Sequence, residues 1–346
     1  MADITIILLG KLLQSRLLQP GEKTGIMTNG RESKAKITHP PASKLIMDNT
    51  LKEVIFGPMR LPFLILTPAC VMLGAATADW SGSPLNFYYL ALALIGAVGA
   101  HMSVNALNEY HDFESGLDFN TEPTPFSGGS GTLPRNPNKS HVALITGIVS
   151  MAVTVLVGIY FLRVRGLLIL PVGLLGLVTI VTYTKWITRN AFLCLIAPGL
   201  GFGPFMVMGT DFVLTGTYSW TSFIASLVPF FLVSDLLLLN QFPDVEADRG
   251  VGRHHFPIAI GRKASVILYV AFLGSAYATV TIGYVAGKLP LEGFLAFGST
   301  IFAIPTVRGV ARFANDVPEL IPYMGRNVVV IILTPVLLAI GLFIGK

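Results

Sequence analysis

The run Asn108-Glu-Tyr-His-Asp112-Phe-Glu114-Ser-Gly116-Leu-Asp118 closes an apolar stretch that begins near residue 86. A second, Asn240-Gln-Phe-Pro-Asp244-Val-Glu246-Ala-Asp248, closes another that begins near 221. Together they hold seven of the nineteen acidic residues, with Glu122 shortly after the first. Charged residues are only 12% of the chain, and a carboxylate beside hydrocarbon is costly. Such concentration points to something polyvalent and cationic held between the two segments.

Working outward, the surroundings are those of a membrane protein. At 346 residues, 53% of them hydrophobic, the chain is too apolar for an ordinary soluble domain. A span needs about 20 predominantly apolar residues, and that rule predicts nine: 61–78, 86–108, 140–162, 166–184, 191–210, 221–240, 264–286, 290–307 and 326–344. The fifth is expected to kink, because Pro198, Gly199, Gly201, Gly203 and Pro204 interrupt it. The predicted fold class is an all-α integral membrane protein with nine helices around a central polar cavity.

Lys and Arg bias in the loops sets the orientation. With the N-terminus inside, twenty of the 24 basic residues fall on the inner side; Arg163, Arg165, Lys288 and Lys346 fall outside. The expectation is a cytoplasmic N-terminus, an external C-terminus and both acidic segments on the cytoplasmic face. The net charge of +5 is therefore a topology signal, and nucleic acid is not an expected partner. Cys70 and Cys194 fall inside predicted spans without metal-ligand spacing, and read as packing residues. Residues 1–55 read as a poorly structured or amphipathic cytoplasmic leader, and 56–346 as the transmembrane domain. Ile4 to Leu18 is interrupted by Lys11 and Arg16, and Gly21 to Lys44 is polar. Met27 and Met47 are alternative starts.

On a helix, residues three, four and seven apart share a face. His101, Asn105, Asn108 and Asp112 then form one polar stripe, and Asn240, Asp244 and Asp248 another, with Pro243 disturbing the second locally. The spacing Asn-x3-Asp-x-Glu occurs in both segments, an internal echo of two related halves. Carboxylate and Asn oxygens are hard ligands that suit Mg²⁺, which is usually shared with substrate phosphates. A diphosphate would not dock on bare carboxylates, since like charges about 4 Å apart repel by roughly 4 kcal/mol at an effective dielectric of about 20. Bridging metal reverses that sign. Ser127-Gly-Gly-Ser-Gly131-Thr132 is either a backbone cradle for phosphate oxygens or a flexible loop; no Gly-Lys-Ser/Thr follows it.

The paired motifs Asn108-x3-Asp112-x3-Gly116-x-Asp118 and Asn240-x2-Pro243-Asp244-x3-Asp248 resemble those of the UbiA superfamily of intramembrane prenyltransferases, over about residues 50–346. The five residues between Asp112 and Asp118 depart from the simplest spacing. They are similar to the branch that prenylates 1,4-dihydroxy-2-naphthoate in menaquinone synthesis, and to its animal relatives. The resemblance implies Mg²⁺-dependent prenyl transfer from an isoprenyl diphosphate to a lipophilic, quinone-precursor acceptor at a membrane, with release of diphosphate. It implies that Asp112, Asp118, Asp244 and Asp248 hold two Mg²⁺ ions, with Asn108 and Asn240 supporting them. It further implies that Arg135 and Arg253 contact phosphate oxygens, and that Tyr183 and Thr184 lie near the reacting carbon. Alternative acceptors within the resemblance are 4-hydroxybenzoate, a glycerol-phosphate lipid, a chlorophyllide or a haem.

Bland readings stand beside these. Glu114 and Glu246 fit a supporting role or a solvated face equally. His101 and Asn105 read as interhelical hydrogen-bonders or as substrate contacts. His254 and His255 are candidates for acid or base work or for structure, and Arg262 and Lys263 for interface anchors. Asp235, inside a span, is a functional candidate by default. From other classes, a cation-coupled transporter and a non-catalytic isoprenoid-binding scaffold also fit acidic motifs and broken helices.

Overall fold

A computed structural model describes residues 42–346. Of residues 42–50 only the helical backbone is described; Ile46–Lys346 forms one compact unit. The leader expected over residues 1–41 lies outside the described residues. The expected boundary at 55/56 falls inside the first described helix, α1 (Ala42–Met59). That helix continues because Val54 is fully buried, so this turn packs on the rest of the protein.

Among the described residues eight helices are long and apolar enough to cross a membrane. They are α2 (Leu61–Trp80), α3 (Phe87–Glu114), α4 (Pro137–Arg165), α6 (Ala191–Thr215), α7 (Trp220–Gly250), α8 (Arg262–Val285), α9 (Leu291–Phe313) and α10 (Val317–Ile344). The span expected over 166–184 is the shorter apolar helix α5 (Leu167–Thr182). At 1.5 Å per residue it reaches only about 24 Å against a hydrocarbon core of about 30 Å. Gly166, at φ 81°, breaks the chain from α4 just before it. Among the described residues there is no strand.

Start signals are local and chemical. Asn86, Asn190, Ser219 and Asp316 accept from the backbone N–H groups of Tyr89, Leu193, Ser222 and Glu319, capping α3, α6, α7 and α10. Asp316 together with Pro318 in the first turn starts α10 at Val317 rather than near 326. The expected break in α6 takes the form of a widened π turn over Gly201–Met208. Its glycines also let α6 press onto α7: a Cβ at Gly199 would lie 2.3 Å from the Phe230 carbonyl oxygen, and one at Gly203 2.4 Å from that of Ser226.

The helix α7 sits centrally, packed against α2, α6, α8 and α10. Leu232, Leu238 and Leu239 join Cys70, Tyr269, Leu320 and Ile331 in one apolar core. Cys70 and Cys194 are both buried free thiols. The pair α3 and α4 lies against its own smaller cluster with Phe161 and Val213. Leu156, Leu174, Val178, Ile267 and Ile301 project outward, the pattern of side chains that face lipid.

Both acidic segments extend helices beyond their apolar parts. The first stays helical to Glu114 and the second to Gly250, passing through Pro229 and Pro243. Arg262 Nε donates to the Phe242 carbonyl (2.6 Å) beside that second proline. After α3, Gly116 at φ 77° turns the chain so that Asp118 stands on a separate short turn, Leu117–Phe119.

Candidate active site

A cavity of about 550 Å³ opens between α3, α5, α6 and α7. Its deep part is apolar, walled by Gly96, Ala100, Val155, Leu170, Phe202 and Phe205. Its other end holds Asp112, Asp118, Asp244 and Asp248 together with Asn105, Asn108, Asn240 and Tyr183. The two sequence motifs, separated by more than a hundred residues, thus meet in one chamber.

Arg253 stands where the segments meet. Its guanidinium pairs with Asp112 on α3 and, at 2.9 Å, with Asp248 on α7. Asn108 Nδ2 donates to the second oxygen of Asp112 (2.7 Å), while His255 Nε2 lies 3.0 Å from the second oxygen of Asp248. Burial works against the charge on Arg253, yet Asp112 and Asp248 outweigh it and hold its pKa above the usual arginine value. Arg253, expected as a phosphate contact, lines the chamber. Both arms of its fork are engaged by carboxylates, and it neutralises the seam between the motifs.

Arg135, expected as a second phosphate contact, stands apart from the chamber. It pairs with Glu53 at 2.8 Å on the surface, with 61% of its side chain exposed, and does not line the cavity. The loop after Gly131 turns it outward toward α1. Arg60, which the sequence reading passed over, does line the chamber. It sits in the left-handed region at φ 51° between α1 and α2, and its guanidinium is 3.6 Å from Glu109. Its only sequence signal was a lone basic residue immediately before a span.

The remaining candidates sort by partner. Thr184 donates to Asn108 Oδ1 (3.2 Å) and faces a neighbouring polar cavity of about 450 Å³, which shares Asp112 and Arg253 with the main one. Asn105 Nδ2 donates to the Met59 carbonyl (3.0 Å), an interhelical bond, while still lining the chamber. His101 Nδ1 lies 2.8 Å from Thr67 Oγ1, another interhelical contact. His254 uses its backbone N–H on the Thr188 carbonyl. Glu246 pairs with Arg249 on an exposed face. Asp235 is fully buried and does not line the cavity.

The glycine-rich segment is a wall of the chamber. Ser127, Gly128 and Gly129 line it, and Gly128, Gly129 and Gly131 all have positive φ. A Cβ on Gly129 would lie 2.8 Å from Asp118 Oδ1, so glycine lets the backbone close on that carboxylate.

A family profile for the UbiA prenyltransferase family matches residues 65–322. The chain belongs to this family. It is 26% identical over 250 residues to the 1,4-dihydroxy-2-naphthoate octaprenyltransferase of Bacillus subtilis (strain 168), covering 72% of this chain and 78% of that one. Among solved structures it is similar to an apo UbiA homolog from Aeropyrum pernix K1, at 18% identity and a TM-score of 0.58, covering 80% of this chain and 97% of that one. It is also similar to a UbiA homolog from Archaeoglobus fulgidus bound to DMAPP and Mg²⁺, at 13% identity and a TM-score of 0.51, covering 82% and 98%. This UbiA prenyltransferase is thus an enzyme and a multi-pass integral membrane protein.

Whether the chamber of this UbiA protein suits a Mg²⁺ ion, as bound by the Archaeoglobus fulgidus homolog, turns on its oxygens. Among the described residues no three His, Cys, Asp or Glu side chains converge tightly enough to hold an ion alone. However, Mg²⁺ keeps waters and takes one or two carboxylates plus substrate phosphates. Asp118 Oδ2 and Asp244 Oδ1 are buried without a hydrogen-bond partner, an arrangement costly for oxygen atoms unless a cation or proton meets them. Burial, followed by Glu109 and Asp112, pushes the Asp118 carboxyl up to about 8. Hard, desolvated oxygens without a hydrogen-bond partner fit a divalent ion.

Proposed function

We propose that this UbiA prenyltransferase transfers a prenyl group from an isoprenyl diphosphate to a lipophilic aromatic acceptor of the 1,4-dihydroxy-2-naphthoate type, with Mg²⁺. The observation that carries it is the polarity gradient of one cavity. Carboxylates with unpartnered oxygens occupy one end, and an apolar chamber continues from them. The curated relative from Bacillus subtilis, named for that naphthoate, supports the acceptor class.

Asp112, Asp118, Asp244 and Asp248, with Asn108 and Asn240, are the residues that would hold the metal. Bound there, it supplies positive charge against the negative charge that builds on the departing diphosphate. This chain's own groups do the rest. Arg60 lines the chamber and adds a fixed cation at its mouth. The backbone of Gly128 and Gly129 lines the site and can meet phosphate oxygens, while the Ser127 N–H is already taken by Thr124 Oγ1. The apolar walls bind the prenyl tail and exclude water from a cation-like carbon, and Tyr183 offers that carbon a π face. Asn105, Thr184 and the neighbouring polar cavity orient the acceptor. The loop charge bias supports a chamber that opens to the cytoplasm, with the C-terminus outside.

The test is prenyl transfer by the purified protein in detergent. Geranylgeranyl and farnesyl diphosphates are offered with a panel of acceptors, with Mg²⁺ present or chelated. Metal-dependent prenylation of the naphthoate is the expected result. Transfer to a different acceptor would overturn the substrate assignment, and transfer that survives chelation would overturn the metal assignment.

A further inference from the structure

Glu109 follows Asn108 directly, yet it does not line the cavity and is fully buried. Its two carboxylate oxygens accept the backbone N–H of Ser130, at 2.9 and 3.1 Å, and one also accepts the Ser130 hydroxyl. Ser130 Oγ accepts in turn from the Thr132 N–H (3.1 Å). The helix α1 presses on the same spot, since a Cβ on Gly57 would lie 2.3 Å from Thr132 Oγ1. Immediately upstream are Ser127, Gly128 and Gly129, which form the wall against Asp118.

A segment with three positive-φ glycines is entropically expensive to hold in place. Its internal turn is fixed by Thr124 Oγ1, which accepts the Ser127 N–H (2.9 Å), but that bond sets shape and not location. Location comes from a group outside the loop, and Glu109 is the buried charge that grips it. Because Glu109 and Asn108 are consecutive on α3, the helix that presents Asn108 and Asp112 to the chamber also fixes the opposite wall.

We propose that Glu109 is a positioning residue, which pins the glycine-rich loop at Ser130 and so places Ser127–Gly129 against the diphosphate end of the donor. The inference rests on the diphosphate reading of the cavity given above. It assigns Glu109 an effect on donor binding and none on the acceptor.

The experiment compares full-length wild type, Glu109→Ala and Glu109→Gln in detergent. Hydrogen–deuterium exchange is followed over residues 121–135, alongside separate KM values for geranylgeranyl diphosphate and 1,4-dihydroxy-2-naphthoate. Loss of a charge-assisted hydrogen bond gives an expected rise of about tenfold in donor KM and in loop exchange for Glu109→Ala. Acceptor KM stays within about twofold by the same reasoning. Glu109→Gln keeps an acceptor for the Ser130 N–H and falls between the two. Should Glu109→Ala fail to fold, the isosteric Gln variant carries the comparison. Unchanged loop exchange in the variants, or a uniform increase across all helices, would overturn the assignment. A wild type without turnover would overturn the proposed function, while the exchange arm would still decide whether Glu109 pins the loop.

Discussion

Arg253 forms an ion pair with Asp112 across 141 positions of the chain, closing the turn after α7 onto the end of α3. The arginine is 16% exposed and its two partners less. Arg253→Gln leaves two buried carboxylates without their counter-charge, which costs about 3–5 kcal/mol for a broken buried pair. The expected outcome is a clear drop in the thermal midpoint in detergent, partly recovered by millimolar Mg²⁺. A midpoint equal to wild type would show that the bridge carries no stability.

The pH dependence of metal binding tests Asp118 as a ligand. Its folded pKa of about 8 lies above the ordinary 3.8, so at neutral pH the folded protein keeps a proton that the unfolded chain has lost. Its contribution to stability is present below about pH 4 and is lost as pH rises through about 8. Metal needs the ionised form, so the affinity for Mg²⁺-diphosphate should rise from pH 6 to about 8 and then level off. Calorimetry across that range tests it, and Asp118→Asn should remove the upper part of the rise, nearest pH 8. A pH-independent affinity in the wild type would remove Asp118 from the metal site.

Two arginines separate the motif-based reading from the geometry. Arg135 holds only an exposed pair with Glu53, worth at most about 1 kcal/mol, so Arg135→Ala should leave the donor KM within about twofold of wild type. Arg60 faces the chamber, and its loss removes a charged contact worth about 1.5–3 kcal/mol. Arg60→Ala should therefore raise the donor KM at least about tenfold. The reverse ranking would restore Arg135 to the site.

Much of this was legible in the chain, for physical reasons. Apolar run length announces a membrane span, and acidic residues at the ends of two runs are too costly to be idle; the motif resemblance then singled out the four aspartates, which are found lining one cavity. Asn108 and Asp112 share a helical face by spacing alone, and their 2.7 Å hydrogen bond follows. Pairing partners were not legible. Nothing in local sequence separates Arg60 from Arg135, because each follows or precedes a span and only the turn of the backbone decides which enters the chamber. Glu109 was hidden by its company, since its distinction is a contact 21 residues away on Ser130. The span expected over 166–184 meets the shorter helix α5, Leu167–Thr182, and that helix still has to carry the chain across, because both acidic segments end in the same cavity.

Asp235 supplies the last test, because it lies in the same helix as Asp244 and Asp248 and has none of their company. It is fully buried in α7, away from the cavity lining, and neither carboxylate oxygen has a hydrogen-bond partner among the described residues. A carboxyl group so placed is a cost to folding. Asp235→Asn removes the possibility of a buried charge at nearly constant volume, and Asp235→Leu also removes the polar atoms. Both should leave prenyl transfer and the donor KM within about twofold of wild type, with the Leu variant raising stability by about 1 kcal/mol or more by the logic of apolar replacement. Thermal unfolding in detergent beside the transfer assay measures both. A fall in activity with the fold intact would mean that Asp235 communicates with the chamber through α7, and that the oxygens now without partners take part in the reaction cycle.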